Sequence, residues 1–465
     1  MLWFVSSMLR HMLSIIGLSA RVKLTMHKEP ATVTTFAGDD DAQGQPQKTK
    51  VTIKDVLSKC PSLMGKDAWY TPTWWLSSGH LATIWCTVAN FDYDRVEYSR
   101  EIIEVPDGGQ IGIDFAPPIT AQEPIDDRPI LVIAHGLTGG SHESYVRDVL
   151  AKITKPKSEG GPGWRGAVVN SRGCAGMKCV NKVLYNGGKT DDLRCALTFL
   201  AHFAPKAPLY GAGFSLGANQ MAKLVGQDGE STPLKAAVVL GAPWDFWEGH
   251  IMLSSSWLRR IYSKAMAANL RRVLKNAGVF EDDERLDWNA IYGNPQQTLY
   301  EFDSLVTAPL GGFPTAAAYY RWASATTTVH NVAVPLLSIS ALDDPVVSSQ
   351  TVPESAAYDN PYLVFAMTRH GGHLGWFSGA FKPRRWISRP VIEFLTAMHE
   401  ADPAKRLSGY RYSVEPAGRK PQVGDQMVLL KGKEETVGFK LIKEEKHEVD
   451  VAGNSRVPDG LTRGL

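Results

Sequence analysis

Gly213-Phe-Ser-Leu-Gly217 places a serine between glycines two residues before and two residues after it. A serine hydroxyl attacks nothing until a base takes its proton, and the base needs an acid to hold it in the right tautomer. On a tight strand-to-helix turn such a serine is exposed for attack, and a Cβ at either glycine would clash across the turn. That architecture orders its partners along the chain as serine, acid, histidine. Downstream, His373 lies in Arg369-His-Gly-Gly-His-Leu-Gly-Trp376, where glycines on both sides let a loop carry the ring to Ser215. His370 competes, but it stands nearer the preceding strand and reads as structural. Two acids, Asp343 and Asp344, follow the apolar run Leu336–Ser340. Asp344, directly before Pro345, is preferred, with Asp343 serving the turn. A tetrahedral intermediate needs two backbone donors. One is the N–H of Leu216. The other belongs to the glycine-rich loop His135-Gly-Leu-Thr-Gly-Gly140, from Gly136 or Leu137, with Leu137 the candidate. That loop lacks G-x-x-x-x-G-K-[ST], so it is not a phosphate cradle. The chemistry requires no cofactor and no metal.

Stepping outward, the serine needs a strand before it and a helix after it. Leu209–Tyr210 opens a short strand, and Ala218, Met221, Ala222, Leu224 and Val225 give a helical apolar face. Ile130–Ala134, Ala167–Asn170, Ala236–Leu240, Leu336–Ser340 and Tyr362–Ala366 are short all-apolar runs, the pattern of strands buried on both faces. Helical periodicity at Asp191–Phe203 and Trp386–His399 separates or closes them. The order predicts an α/β fold with a mostly parallel, doubly wound sheet. Tyr98–Phe115 alternates around Asp107-Gly-Gly109 and predicts a hairpin. The strand rhythm stops between Trp244 and His330, where a helical cap over the serine fits. Its helix at Ser256–Phe280 is basic, a solvated cap face before it is a contact for a membrane or acidic partner. Aromatics in the cap, among them Trp247, Trp257, Phe280, Tyr319 and Tyr320, are mostly packing, with some left to roof an apolar pocket. The aromatic-rich stretch Tyr70–Trp85 must pack on the body, and His80 within it reads as structural.

The 465 residues suffice for one large α/β domain with additions. Net charge is +2, so no global basic field points to nucleic acid. Five cysteines form no disulfide framework by count, which favours a reducing, intracellular compartment. Residues 1–28 carry no acid and four Arg or Lys. They suit a plain extension first, and otherwise a mitochondrial presequence or an interfacial helix giving weak membrane association. Residues 38–50 are polar and read as a linker. The chain thus divides into an extension and linker (1–50), a catalytic domain (51–402, with the cap at about 245–330) and a charged tail (403–465). Neither terminal piece is expected to belong to the core.

His135–Arg147, Asn170-Ser-Arg-Gly173, Gly213–Asn219 and Asp343-Asp-Pro345 resemble the AB hydrolase 4 family of α/β-hydrolases. So do Pro72–Thr83 and the hairpin Arg100…Gly109, and the resemblance runs from about residue 65 to 400. It implies the α/β-hydrolase fold and a Ser-Asp-His triad at Ser215, Asp344 and His373. It also implies a serine esterase or acyltransferase passing medium-chain acyl groups to water or an alcohol, similar to the fungal ethyl ester synthase/esterases. Acylglycerol or phospholipid lipases of the family are the alternative, and a tailoring enzyme of secondary metabolism fits too. A non-catalytic binding protein on the same fold would have a broken triad.

Overall fold

The computed structural model describes residues 12–40, 46–89, 91, 93–119, 127–401, 412 and 421–447. In chain order, the elements that frame the site begin with β1 (Lys23–Met26), β2 (Thr32–Asp40) and β3 (Pro46–Thr52). Helix α1 (Gly79–Val88) and the hairpin β4 (Tyr98–Glu104) and β5 (Gln110–Ala116) follow. Then come β6 (Ile130–Ala134), α2 (Ser144–Ile153), β7 (Arg165–Asn170), α3 (Asp191–Phe203), β8 (Leu209–Phe214), α4 (Leu216–Asp228) and β9 (Leu234–Leu240). The cap contributes α5 (Phe246–Ser254), α6 (Trp257–Ala277) and α7 (Ala316–Ala323). The body resumes with β10 (Leu336–Ala341), β11 (Leu363–Thr368) and α8 (Ser388–Ala401), and ends in β12 (Val428–Leu429) and β13 (Gly438–His447).

Eleven of these strands form one sheet in the order β12-β13-β4-β5-β7-β6-β8-β9-β10-β11-β1, and β2 and β3 pair apart from it. From β7 to β11 every neighbouring pair is parallel. Side chains alternate between two cores, as the period of two requires. Ile130, Val132 and Ala134 of β6 meet α3 and α4, while Leu131 and Ile133 meet α2 and α8. Both faces of the central strands are therefore buried, which is why they read as unbroken apolar runs.

The structure corrects three readings of the chain's ends. The polar stretch 38–50 is not a linker. Its described residues, 38–40 and 46–50, belong to the antiparallel pair β2–β3, with Thr32 opposite Thr52 and Asp40 opposite Pro46, and 41–45 lie outside the described residues. The pair's Thr and Val residues favour strands, a preference outweighed in the sequence by the acidic, glycine-containing middle. The N-terminal extension also enters the fold, since β1 pairs antiparallel with β11 at the sheet edge. Likewise the C-terminal tail is part of the core. Strand β13 pairs with β4, and Val437, Phe439 and Leu441 are almost wholly buried. The Lys and Glu residues of β13 disguise a strand that lies next to the two-residue edge strand β12. The fragments 1–11, 402–411, 413–420 and 448–465 lie outside the described residues. No helix among the described residues is long and apolar enough to cross a membrane.

Candidate active site

Strand β8 delivers the chain to Ser215, which has φ 51° and ψ −117°. This left-handed backbone is costly for a residue with a Cβ and persists only where the surroundings enforce it. The flanking glycines show how. A Cβ on Gly213 would come within 2.4 Å of the Gly217 carbonyl oxygen, and one on Gly217 within 2.3 Å of that of Ala134. The turn is tight enough to lift the hydroxyl out of the strand and start α4 immediately after it.

The loop after β11 brings in His373, and the turn after β10 brings in Asp344. Ser215 Oγ lies 2.7 Å from His373 Nε2. His373 Nδ1 lies 2.8 Å from Asp344 Oδ2. With Nδ1 protonated, the ring donates to the carboxylate and accepts from the serine. Asp344 is held in turn, because its Oδ1 accepts from the amides of Val346 at 2.8 Å and Val347 at 2.9 Å. All three side chains are buried.

The competing pair is elsewhere. Asp343 Oδ1 accepts from the Gly372 amide at 2.9 Å, which fixes the histidine loop. Its other oxygen stands 3.5 Å from His370 Nδ1. His370 Nε2–H donates to the Gly17 carbonyl at 2.8 Å, tying that loop to the N-terminal segment. The Asp343 carboxylate beside it pushes the His370 imidazole up from its ordinary value. His80 contacts Tyr262 of α6 at 2.9 Å, so it joins the body to the cap rather than the reacting groups.

At the glycine-rich loop the structure separates Gly136 from Leu137. The Gly136 amide donates to Tyr145 OH at 3.1 Å and is occupied. Among the described residues the amides of Leu137 and Leu216 have no protein partner, and both residues line the same cavity as Ser215. His135 braces this loop. Its Nδ1–H donates to the Gly136 carbonyl at 2.7 Å, and Nε2 accepts from the Ser171 amide at 3.1 Å. Burial lowers its pKa to about 4, which keeps it neutral.

A pocket open to solvent lies over Ser215, about 920 Å³ with the solvent space in its mouth included. Its walls are mostly apolar, with Leu137, Leu216, Phe246, Leu253, Met266 and Leu270 among them. Of the cap aromatics considered from sequence, Tyr319 and Tyr320 reach it, whereas Phe280 is buried in packing and Trp257 points to solvent. Two acids line it, Asp245 at the N-terminus of α5 and Asp303. Asp303, in a π-helical segment at Asp303–Thr307, accepts from Thr307 Oγ1 at 2.5 Å and Tyr320 OH at 2.8 Å. Burial raises its pKa to about 6, against those two hydrogen bonds.

Sequence reasoning did not find Thr83, Tyr145, His135 or Asp303. Thr83 Oγ1 accepts from the His373 amide at 2.8 Å and anchors the histidine loop on α1. The Thr sits in a motif that was legible, but its partner 290 positions away was not. Among the described residues no group of three or more His, Cys, Asp or Glu is placed to hold a metal.

No family model matches the chain. It is 30% identical to the monoacylglycerol lipase of Saccharomyces cerevisiae, across 83% of this chain and 92% of that protein. An abhydrolase domain-containing protein of Dictyostelium discoideum is 32% identical, covering 74% of this chain and 86% of its own. The medium-chain fatty acid ethyl ester synthase/esterase 2 of S. cerevisiae is also 32% identical, over 59% of this chain and 63% of that one.

Proposed function

Because this chain belongs to the AB hydrolase 4 family of α/β-hydrolases and is a hydrolase of that kind, we propose that Ser215, His373 and Asp344 form its catalytic triad. The observation that carries the reading is the relay of 2.7 and 2.8 Å contacts from Ser215 through His373 to Asp344, placed at an apolar cavity. Ser215 Oγ attacks the acyl carbonyl as its proton passes to His373 Nε2. Asp344 stabilises the imidazolium. The amides of Leu137 and Leu216, the latter at the N-terminus of α4, hold the oxyanion. Collapse of the tetrahedral intermediate breaks the ester C–O bond, and His373 returns the proton to the leaving alcohol. The acyl-enzyme then goes to water or to a second alcohol by the reverse sequence.

The substrate proposed is a medium-chain acyl ester, since the wall beside Ser215 is mostly apolar, with Leu253, Met266 and Leu270 along it, and an acyl chain longer than acetyl would cover that wall. Transfer to an alcohol wins over water at about 55 M only if the pocket binds and orients that alcohol. The test supplies a C8 acyl donor with increasing ethanol and measures ethyl ester and free acid together. A growing share of ethyl ester supports transfer. Free acid alone at every ethanol concentration leaves a plain esterase, and a preference for acetyl donors removes the medium-chain reading.

A monoacylglycerol substrate is the second reading. The relative with that name aligns over more of both chains than the ester synthase does. Asp303 and Tyr320 also give the cavity a polar region suited to hydroxyls. Faster turnover of a C8 monoacylglycerol than of the C8 ethyl ester would favour it.

A further inference from the structure

Isolated exposed apolar side chains are ordinary, but clustered ones mark an interaction surface. Here they cluster on the elements that enclose the site. Helix α1 exposes Leu81, Ile84 and Val88, spaced i, i+3 and i+7 on one face. The cap exposes Trp247 and Ile251 of α5, and Trp257, Leu258 and Ile261 of α6, with Trp257 72% exposed. The helical turn at 12–15 and its sequel expose Met12, Ile15 and Ile16, with Ile15 82% exposed.

Three contacts make these one rim. The rings of His80 and Tyr262 stack at 5.7 Å, next to Leu81 and Ile261. Helix α5 packs on α6. Gly17 accepts from His370, which faces Asp343, and Asp343 abuts Gly79 at the start of α1. The inner sides of the same elements serve the site, through Phe246, Leu253 and Met266 on the cavity and Thr83 on the His373 loop. The charge is mostly basic as well. Helix α6 carries six Arg and Lys and no acid, α1 carries no acid and residues 1–28 carry none, against Glu248 on α5 and Asp245 at its N-cap.

We propose that this rim docks on an anionic lipid surface, with Trp257, Ile261 and their neighbours entering the headgroup boundary while Arg259, Arg260 and Lys264 meet its negative charge. Apolar helix faces edged by Arg and Trp are the chemistry of interfacial helices. Docked this way, the elements whose inner sides line the cavity lie at the interface where an acyl ester resides. The docking is independent of the serine chemistry, so the two readings fail separately.

The test uses the full chain and sedimentation with phosphatidylcholine vesicles, with and without phosphatidylserine. The unmodified protein should bind the phosphatidylserine vesicles more tightly. Trp257→Ser/Ile261→Ser should weaken binding to both, by about tenfold or more per side chain. Arg259→Ser/Arg260→Ser should weaken only the anionic arm, by about fivefold per residue. Leu81→Ser/Ile84→Ser should weaken binding as well, which samples the surface from a second helix. All variants should hydrolyse a water-soluble acetate ester at the unmodified rate, and Ser215→Ala should bind vesicles normally. Equal vesicle binding by the parent and the Trp257/Ile261 variant overturns the proposal. So does equal affinity for neutral and anionic vesicles. A dimer by light scattering that dissociates in the Trp257/Ile261 variant would assign the surface to a second copy of the chain instead.

Discussion

Replacing each of the two adjacent aspartates with asparagine separates the acid that serves the base from the acid that serves the loop. Asp344→Asn keeps the size of the side chain, and its oxygen can still accept from Val346 and Val347 at 2.8 and 2.9 Å. Its amide nitrogen would then face His373 Nδ1, which Asp344 Oδ2 now meets at 2.8 Å. Two donors cannot face each other there, so the ring takes the other tautomer and its Nε2 carries the proton. It can no longer accept from Ser215. A wrong tautomer in such a site costs about 10⁴ in kcat, or about 5.5 kcal/mol of transition-state stabilisation. Asp343→Asn leaves an oxygen for the Gly372 amide, and the 3.5 Å approach to His370 is too long to carry much. Its loss should stay below about tenfold. The assay is kcat on a p-nitrophenyl octanoate, with circular dichroism to show both variants folded. A nearly inactive Asp343→Asn beside an active Asp344→Asn would refute the reasoning and exchange the two roles.

Asp303 gives a pH signature. Its folded pKa of about 6 lies above the ordinary 3.8, so its contribution is present below pH 3.8 and lost as pH rises through 6. The full swing is about 3 kcal/mol. Asp303→Asn should flatten the fall in urea-unfolding stability between acid and neutral pH, and a variant as steep as the parent would contradict this. Phe439→Ala tests the tail: Phe439 is 1% exposed and meets Phe199 at 5.2 Å. The expected loss of stability in a urea titration is about 3–5 kcal/mol, and a loss under about 1 kcal/mol would mean that β13 is dispensable.

The strands of the central sheet were legible because burial on both faces forces unbroken apolar runs, as at Ile130–Ala134. The serine turn was legible for a different reason. Close backbone approach at Gly213 and Gly217 leaves no alternative residue, so geometry is written directly in the sequence. The strand pair β2–β3 and the strand at Gly438–His447 were hidden by their polar and charged residues, which positions at or next to a sheet edge tolerate. Leu137 was the candidate from sequence, but the reason that sets it apart from Gly136, the Tyr145 OH that takes the Gly136 amide, was not legible there. That contact depends on how α2 packs under the loop, which no local pattern records. Asp303 was invisible for the same reason. Its acid lies among the cap's polar residues in sequence and beside the cavity only after folding.

The central claim is that Ser215 is the residue that carries the acyl group. A fluorophosphonate probe followed by mass spectrometry of the proteolysed protein tests it directly. One adduct should appear, on the peptide containing Ser215, and Ser215→Ala should show neither adduct nor ester turnover while remaining folded. An adduct on another residue, or ester turnover at the parent's rate in folded Ser215→Ala, would contradict the account.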